Sequence, residues 1–413
     1  MVFLLNILEF VDGASGEFLL LRFVEIKIVN FISFQNLHPS PFVYLHYPLC
    51  RHTCSYCDFN VYSEGAVKAL EPNFERLWLG GVKRDLSFLT GLARQSAPLK
   101  TLYLGGGTPS LISPPGLREL LQILGERYDL TTLEEFTIEC NPESLSEEYV
   151  RFLKDIGVTR PSLGVQTFDS AQLRRLERLS TRSHIDQALE WISKFFSNFS
   201  LDLMIGIPDQ SMSSLEADLE KIKIISPPHV SIYLLTVAHD HIFKTHSFIQ
   251  KRLPPDETSA AMYLRVCDFL KTLGYEHYEV SNFSKPGSHS RHNSNYWDLE
   301  SDYFGLGPGA HGYLRDSSRR RLRYEVHRDP KRWMSEAMIF SEAEILSDDQ
   351  MRLEKIYLDL RTRRPIQGKM QSSVMSHLVQ EKLMEKVDGG YIATDAGWLV
   401  MEGLAERLVS ASK

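Results

Sequence analysis

The stretch HYPLCRHTCSYCDF at residues 46–59 carries three of the chain's five cysteines within eight positions. These are Cys50, Cys54 and Cys57, in the spacing Cys-x3-Cys-x2-Cys. Thiolates are soft ligands, and soft ligands select zinc or iron–sulfur clusters. A [4Fe–4S] cube normally takes four protein ligands, so three cysteines leave one iron open to a further ligand. The spacing therefore predicts an iron–sulfur cluster in which one iron can take part in chemistry.

A structural zinc site is the alternative for the same loop. Zinc would need a fourth protein ligand, which His46 or His52 could supply. Such sites usually pair two Cys-x2-Cys knuckles, and the sequence contains a single one. The ligand count and the spacing together favour the cluster.

Length and composition describe a chain of 413 residues with 43% hydrophobic residues and a formal net charge of −7. The length predicts two or three domains, and the hydrophobic fraction suffices for a sizeable core. The negative charge argues against nucleic acid as a partner. An odd number of cysteines does not suggest a disulfide framework, and a cluster on a loop needs a reducing compartment. We therefore expect a cytoplasmic protein.

Residues 1–41 contain an apolar run at 18–29, which Arg22, Glu25 and Lys27 interrupt. A spanning helix needs about 20 predominantly apolar residues. Residues 1–13 contain no Lys or Arg, so the basic start of a signal peptide is missing. We expect no integral membrane span here and interpret residues 1–41 as a poorly ordered extension.

From residue 42 onward, short apolar runs alternate with amphipathic helical stretches. Such βα repeats predict an α/β fold with parallel strands, here a partial (β/α)6 barrel over residues 42–285. The predicted strands are 42–47, 101–104, 135–140, 160–165, 200–205 and 229–235. The predicted helices are 114–128, 146–156, 184–196, 212–225 and 256–273.

Polar and glycine-rich segments follow the predicted strands, at the carboxyl ends where barrel proteins carry their sites. The cysteine loop follows the first strand, and the glycine-rich residues 105–109 follow the second. Glu139 closes the third strand, Gln166 follows the fourth, and Asp202 lies in the fifth. We expect these residues to converge on one rim.

The remainder of the chain reads as a connecting segment, 286–345, and a small α+β domain, 346–413, that resembles a winged helix. Its acidic context favours a protein-facing or lid role over DNA binding. The residues Asp388-Gly389-Gly390 predict a hairpin turn. The elements predicted here are helices 349–362 and 371–381, a hairpin at 383–394 and a helix at 395–409.

Two further cysteines, Cys140 and Cys267, are predicted to be buried core thiols, because free cysteine behaves as a small hydrophobe. In the connecting segment, His292 could ligate a haem iron, with Tyr296 and Trp297 as apolar walls. Residue types alone favour a structural histidine there. The basic run at 319–323 could pair with carboxylates such as porphyrin propionates, but a solvated face is the favoured interpretation.

Taken together, these motifs resemble the oxygen-independent coproporphyrinogen III oxidase family of radical S-adenosylmethionine (SAM) proteins. The resemblance extends over about residues 42–405. Departures occur at Ile207 and Leu234, where the family often has leucine and glutamine. The matching segments are 44–50, 105–109, 139–142, 164–168, 201–208, 278–283, 291–297 and 305–312.

One position separates the two branches of this family. The decarboxylating branch has a fourth cysteine two residues after the third, where this chain has Phe59. The Cys-Asp-Phe ending and the motif His292-Asn293-x-x-Tyr296-Trp297 resemble the haem chaperone branch, HemW. The resemblance thus implies a protein that binds a [4Fe–4S] cluster, SAM and haem and delivers haem to an acceptor protein.

Two other functions stay open at this point. The first is oxidative decarboxylation of coproporphyrinogen III in porphyrin biosynthesis, against which Phe59 argues. The second is a zinc-stabilised interaction protein that binds through its winged helix.

By resemblance, the cluster ligands would be Cys50, Cys54 and Cys57, and His292 would contact haem. We assign no catalytic residue from the resemblance. The implied SAM contacts are Tyr44, Tyr56, Gly106, Gly107, Thr108, Glu139, Gln166, Arg178 and Asp202.

Overall fold

The computed structural model of the chain describes residue 37 and residues 40–91, 98–235, 251–335, 340–366 and 371–411. Most of the predicted extension over residues 1–41 lies outside this described part. No helix among the described residues is long and apolar enough to cross a membrane. The chain divides into two compact units. The first comprises the described parts of Met1–Thr53, Cys57–Ile138 and Asp302–Leu346, and the second those of Cys54–Tyr56, Glu139–Ser301 and Ser347–Lys413.

The regular elements alternate over most of the chain. The strands are β1 (Phe42–Tyr47), β2 (Leu49–Cys50), β3 (Tyr62–Ser63), β4 (Thr101–Gly106), β5 (Glu135–Cys140), β6 (Arg160–Gln166), β7 (Ser200–Ile205), β8 (His229–Leu234), β9 (Glu276–Glu279), β10 (Asn282–Ser284), β11 (Phe304–Leu306), β12 (His311–Arg315), β13 (Arg321–Val326), β14 (Phe340–Ile345), β15 (Met384–Val387) and β16 (Gly390–Ala393). The helices are α1 (Glu64–Leu70), α2 (Phe74–Gly91), α3 (Pro114–Gly125), α4 (Glu147–Asp155), α5 (Ser170–Arg175), α6 (Arg182–Phe195), α7 (Met212–Ile225), α8 (Asp256–Thr272), α9 (Arg291–Tyr296), α10 (Pro330–Ser335), α11 (Asp348–Leu360), α12 (Ser372–Gln380), α13 (Asp395–Leu399) and α14 (Met401–Ala411).

The first unit is built on parallel strands in the order β11-β1-β4-β5. Five of the six residues of β1 are buried, as expected for a parallel strand covered on both faces. Helix α2 packs beside it, and the fully buried ring of Trp78 meets Tyr47 edge-on with a centroid distance of 5.2 Å. A separate antiparallel sheet, β12-β13-β14, completes this unit.

The second unit continues the parallel pattern with β6, β7 and β8. Strand β10 pairs antiparallel with β8, and β9 pairs antiparallel with β10. At the C-terminal end, β15 and β16 form a hairpin whose turn contains Gly389 at φ +89°. Glycine adopts this left-handed conformation without steric cost.

The α/β fold with a central parallel sheet is confirmed, and the six predicted strands are present within one or two residues. The predicted helix over 395–409 is wrong as a single helix, because Val400 leaves helical geometry at φ −122°, ψ 31° and separates α13 from α14. The segment 286–345, expected as a connection, forms strands β11–β14. The domain boundaries at 41, 285 and 345 stay a prediction.

Candidate functional site

The glycine-rich turn after β4 packs directly against the start of the cysteine loop. Gly107 donates its N–H to Tyr47 O at 2.8 Å, and Thr108 donates its N–H to Leu49 O at 2.8 Å. The Thr108 hydroxyl donates to Cys50 Sγ at 3.4 Å. A Cβ on Gly107 would lie 2.6 Å from Leu49 O, so only glycine fits this position. The turn therefore supports the first cysteine.

Gly106 has a similar reason to be glycine. Its φ is +109°, and a Cβ there would lie 2.6 Å from the ring of His46. The N–H groups of Gly107 and Thr108 already donate to the strand carbonyls. A contact of this turn with a SAM ammonium would therefore use carbonyl oxygens as acceptors.

Both ring nitrogens of the neighbouring His46 make hydrogen bonds. His46 Nε2 lies 2.8 Å from Asn60 O, and Nδ1 lies 3.0 Å from the hydroxyl of Tyr44. Burial lowers the pKa of His46 to about 4, so the imidazole is neutral at pH 7. Because both ring nitrogens hold partners, His46 is a poor fourth zinc ligand for the loop. His52 is exposed.

In the second unit, Arg178 stands beside the middle cysteine. Burial raises the pKa of the Cys54 thiol, and the adjacent Arg178 guanidinium opposes that rise by favouring the thiolate. Arg178 Nη2 also donates to Asn141 Oδ1 at 2.6 Å and to Gly164 O at 3.1 Å. Burial disfavours its own charge, but Tyr56, Cys54 and a neighbouring glutamate outweigh this and raise the pKa of Arg178. The guanidinium is thus a fixed cation beside a cluster-ligand candidate.

Gln166 joins this group at the end of β6. Its backbone is left-handed at φ +65°, a conformation that few residues other than glycine adopt. A Cβ on Gly164 would lie 3.1 Å from Gln166 Nε2, 3.1 Å from Asn141 Oδ1 and 3.6 Å from Arg178 Nη2. Three polar side chains therefore converge over Gly164. Asn141 was not predicted as a site residue, although it follows the third strand directly.

Two carboxylates lie along the neighbouring strands. Asp202 accepts hydrogen bonds from Ser162 Oγ at 3.0 Å and from Ser200 Oγ at 3.2 Å, while burial raises its pKa. Tyr233 lies on β8, beside the strand that carries Asp202. The charges of Glu139 and Asp202 both act on the hydroxyl of Tyr233.

Tyr56 packs on an apolar cluster formed by Leu176, Met204 and Ile207, with Leu235 at its side. Tyr56 was predicted as a site residue, whereas the apolar cluster was not. The cluster could have been predicted from the residues directly after β7, because barrel proteins carry their sites after the strands. Such a surface suits a flat, apolar ring.

His292 is placed differently from the SAM candidates. It is fully buried on α9, and its Nε2 lies 2.8 Å from the hydroxyl of Tyr296. Burial, together with the charge of Arg160, lowers the pKa of His292 to about 3. Arg160 begins β6 and Gln166 ends it, so these two residues lie about 20 Å apart.

A hydrogen-bond chain holds α9 near the amino ends of the strands. Arg160 Nη2 lies 3.0 Å from His229 Nδ1, and His229 Nε2 lies 2.8 Å from the hydroxyl of Tyr278. The same hydroxyl accepts from the N–H of Ser290 at 3.2 Å. Ser290 in turn caps α9. Within this unit, His292 therefore lies towards the strand end opposite to Gln166.

The remaining predicted residues agree with their structural interpretations. Cys140 and Cys267 are buried thiols. In the basic run, Arg320 pairs with Asp316 at 2.7 Å, and Arg323 pairs with Glu344. The charges of Arg320 and Arg323 are therefore paired with acidic side chains within the described part of the chain.

Comparisons with known proteins agree with the geometry. The family model described as the Radical SAM superfamily matches residues 44–222. The haem chaperone HemW of Lactococcus lactis is 34% identical over 388 residues, covering 89% of this chain and 96% of the relative. The chain belongs to the HemW family. HemW of Escherichia coli is 33% identical and covers 75% of this chain and 79% of its own.

The chain shares its fold with a solved radical SAM enzyme. Coproporphyrinogen III oxidase (HemN) from Escherichia coli superposes with a TM-score of 0.74, at 17% identity and with 91% of each chain covered. At this identity the likeness concerns the fold alone. The resemblance to radical SAM proteins of the HemW branch is confirmed.

Proposed function

We propose that this chain is a haem chaperone that binds a [4Fe–4S] cluster, SAM and haem and delivers haem to an acceptor protein. The identity to a protein named haem chaperone HemW, over 96% of that protein's length, carries the proposal. Phe59 adds to it, because the resemblance places the fourth cysteine of the decarboxylating branch at this position. Its ring is 51% exposed beside the cysteine loop.

Cys50, Cys54 and Cys57 would hold the cluster. None of the three is in a disulfide and all are partly exposed, as ligands of an accessible cluster need to be. The Thr108 hydroxyl and the Arg178 guanidinium each stabilise negative charge on one of these sulfurs. The donor set therefore fits a cluster with one open iron, which would bind the amine and carboxylate of SAM when both are present.

Polar side chains and a glycine-rich turn, carried over from the resemblance, would hold SAM. Gln166 and Arg178 offer donors for the methionyl carboxylate. Glu139 and Asp202 offer acceptors for an ammonium or a ribose hydroxyl. The full proposed set is Tyr44, Tyr56, Gly106, Gly107, Thr108, Glu139, Gln166, Arg178 and Asp202.

Haem is the cargo, and His292 is its proposed ligand. Ligation by Nε2 requires that the hydrogen bond to Tyr296 breaks and that α9 opens, because the imidazole has no exposed surface in the fold described above. Haem binding at this residue would thus be coupled to a conformational change. We place this work in the cytoplasm, because an accessible cluster needs a reducing compartment.

One cluster-loaded preparation tests the proposal against the decarboxylase alternative. We expect haem uptake, followed as a Soret band, transfer of that haem to an apo-haemoprotein, and no decarboxylation of coproporphyrinogen III. A preparation that decarboxylates coproporphyrinogen III and takes up no haem would reverse the assignment.

A further inference from the structure

A thiol, an imidazole and a carboxylate meet in the second unit, at residues that the cofactor proposal does not use. Cys267 lies on α8, His277 on β9, and Asp395 is the first residue of α13. The Cys267 sulfur, one ring nitrogen of His277 and one carboxylate oxygen of Asp395 lie within 4.8 Å of one another. These three side chains bring together elements that are up to 128 positions apart in sequence.

The imidazole is rigidly held. The ring of His277 stacks on Phe283 at 3.8 Å and 17°, and it meets the ring of Trp398 at 4.3 Å and 72°. Its side chain is only 10% exposed. Nδ1 lies 3.0 Å from Asp395 Oδ1 and is therefore the ring nitrogen that faces the carboxylate, whereas Nε2 lies on the far side of the ring. Binding of a metal at Nδ1 requires that the proton this nitrogen donates to Asp395 moves to Nε2.

The carboxylate is oriented from outside the cluster. Arg363 donates to Asp395 Oδ1 and also to the carbonyls of Ala393 and His277. Within the described part of the chain, both hydrogen bonds that this carboxylate accepts fall on Oδ1. The second oxygen is therefore the one that can serve as a ligand. Arg363 would therefore orient the ligating carboxylate by hydrogen bonding, without contacting the metal itself.

We propose that Cys267, His277 and Asp395 form a binding site for a divalent transition metal of the zinc class. Sulfur, nitrogen and oxygen donors together are the set that zinc takes in proteins. Tetrahedral bonds of about 2.0–2.3 Å place such donors roughly 3.3–3.8 Å apart, so closing on the ion requires a shift of about 1 Å. The Cys267 proton leaves as the metal–sulfur bond forms, and water takes the fourth position. The ion would fasten α8 and β9 to α13.

The test measures zinc and iron together in full-length, cluster-loaded protein. After incubation with zinc and gel filtration, we expect about one zinc per chain in the wild type, as a single site predicts. Cys267→Ser and Asp395→Asn should lose the zinc and keep the iron of the cluster. Cys140→Ser is the matched control, since it removes another buried thiol and should keep both metals. Zinc that stays in Cys267→Ser would overturn the site.

Cobalt supplies a second readout that does not need Cys267→Ser to fold. The variant Cys50→Ser/Cys54→Ser/Cys57→Ser removes the loop thiols, so any thiolate-to-cobalt charge-transfer band must come from another cysteine. We expect that band on titration with Co²⁺ and its loss when Asp395→Asn is added. A titration of the triple variant without a charge-transfer band overturns the proposal.

Discussion

His46 donates from Nε2 to the carbonyl oxygen of Asn60 at 2.8 Å, a bond that joins the two sides of the cysteine loop. His46 precedes Cys50 by four positions, and Asn60 follows Cys57 by three. The Asn60 side chain is itself fixed, because Nδ2 donates to Pro308 O at 3.0 Å and to Arg328 O at 2.9 Å. The loop therefore begins and ends at anchored residues.

Removing this bond is expected to loosen the loop. His46→Ala leaves Asn60 O and the Tyr44 hydroxyl without their buried partner, which costs about 1–3 kcal/mol for each such group. We expect a lower free energy of unfolding in urea and faster loss of iron from reconstituted protein. His52→Ala, at an exposed position of the same loop, is the control. A His46→Ala protein that retains iron as long as the control would contradict the anchoring role.

Acid should destabilise the fold through its buried histidines. Burial lowers the pKa of His46 to about 4 and that of His292 to about 3, from 6.5. Below pH 6.5 the unfolded chain binds protons that the folded chain does not. Each histidine then lowers the free energy of unfolding by about 1.4 kcal/mol per pH unit, until the pH reaches its folded pKa.

Buried carboxyls oppose this trend, since burial raises the pKa of Glu279 to about 7. The measurement is therefore the difference between wild type and His46→Gln in urea unfolding from pH 7 to pH 4.5. We expect the variant's stability to depend less steeply on acid. Parallel stability curves for wild type and His46→Gln would show that the fold does not keep His46 neutral.

Cluster ligation makes a direct prediction for the loop cysteines. Cys54→Ser should abolish the visible iron–sulfur absorbance after anaerobic reconstitution, because three sulfurs are the minimum set for the cube. Cys140→Ser should leave the absorbance unchanged, since that thiol is buried in β5. Equal iron and sulfide in wild type and Cys54→Ser would exclude Cys54 as a ligand.

SAM binding should respond to two polar residues that do not hold the cluster. Adding SAM should perturb the paramagnetic spectrum of the reduced cluster, and Gln166→Ala and Asp202→Ala should weaken this response without loss of iron. Asp186→Ala, which removes a largely exposed carboxylate on α6, serves as the control. A spectrum that saturating SAM leaves unchanged in the wild type would refute the open iron.

The absorption spectrum of bound haem distinguishes haem ligation by His292 from a purely structural role of this residue. His292→Ala should shift the Soret band and weaken haem retention if the imidazole binds iron. Tyr296→Phe removes the hydroxyl that holds Nε2 and should keep or strengthen the same band, because the nitrogen is released. Lower stability of His292→Ala with an unchanged bound-haem spectrum would leave the histidine as a core residue only.

The strands of the βα region could be predicted from the sequence because their pattern of apolar residues is local. The strands of the βα region are short and apolar, and their side chains are buried by neighbours that repeat the same pattern. Strand β11 could not be found in this way. It has three residues beside a glycine-rich segment, and it is a strand because Phe304 pairs with Val43, 261 positions earlier.

The orientation of the His292 side chain could not be predicted from the sequence either. Helix α9 has six residues, too few for a reliable apolar period, and its capping residue Ser290 is held by the hydroxyl of Tyr278 on β9. The convergence at Gly164 was only partly predicted. Gln166 and Arg178 were named by resemblance, but the turn of the backbone at Gln166 brings Asn141 to the same point.

The anchoring of Asn60 also sets an order of events during biosynthesis. A ribosome that has made the cysteine loop has about 270 residues still to translate before Arg328 appears, and β1 lacks its neighbour β11 until residue 306. The nascent loop thus emerges without the partners that fix its ends. The hydrogen bonds that hold both ends of the loop are complete only once Arg328 has been translated, so insertion of the proposed cluster would follow the synthesis of this residue.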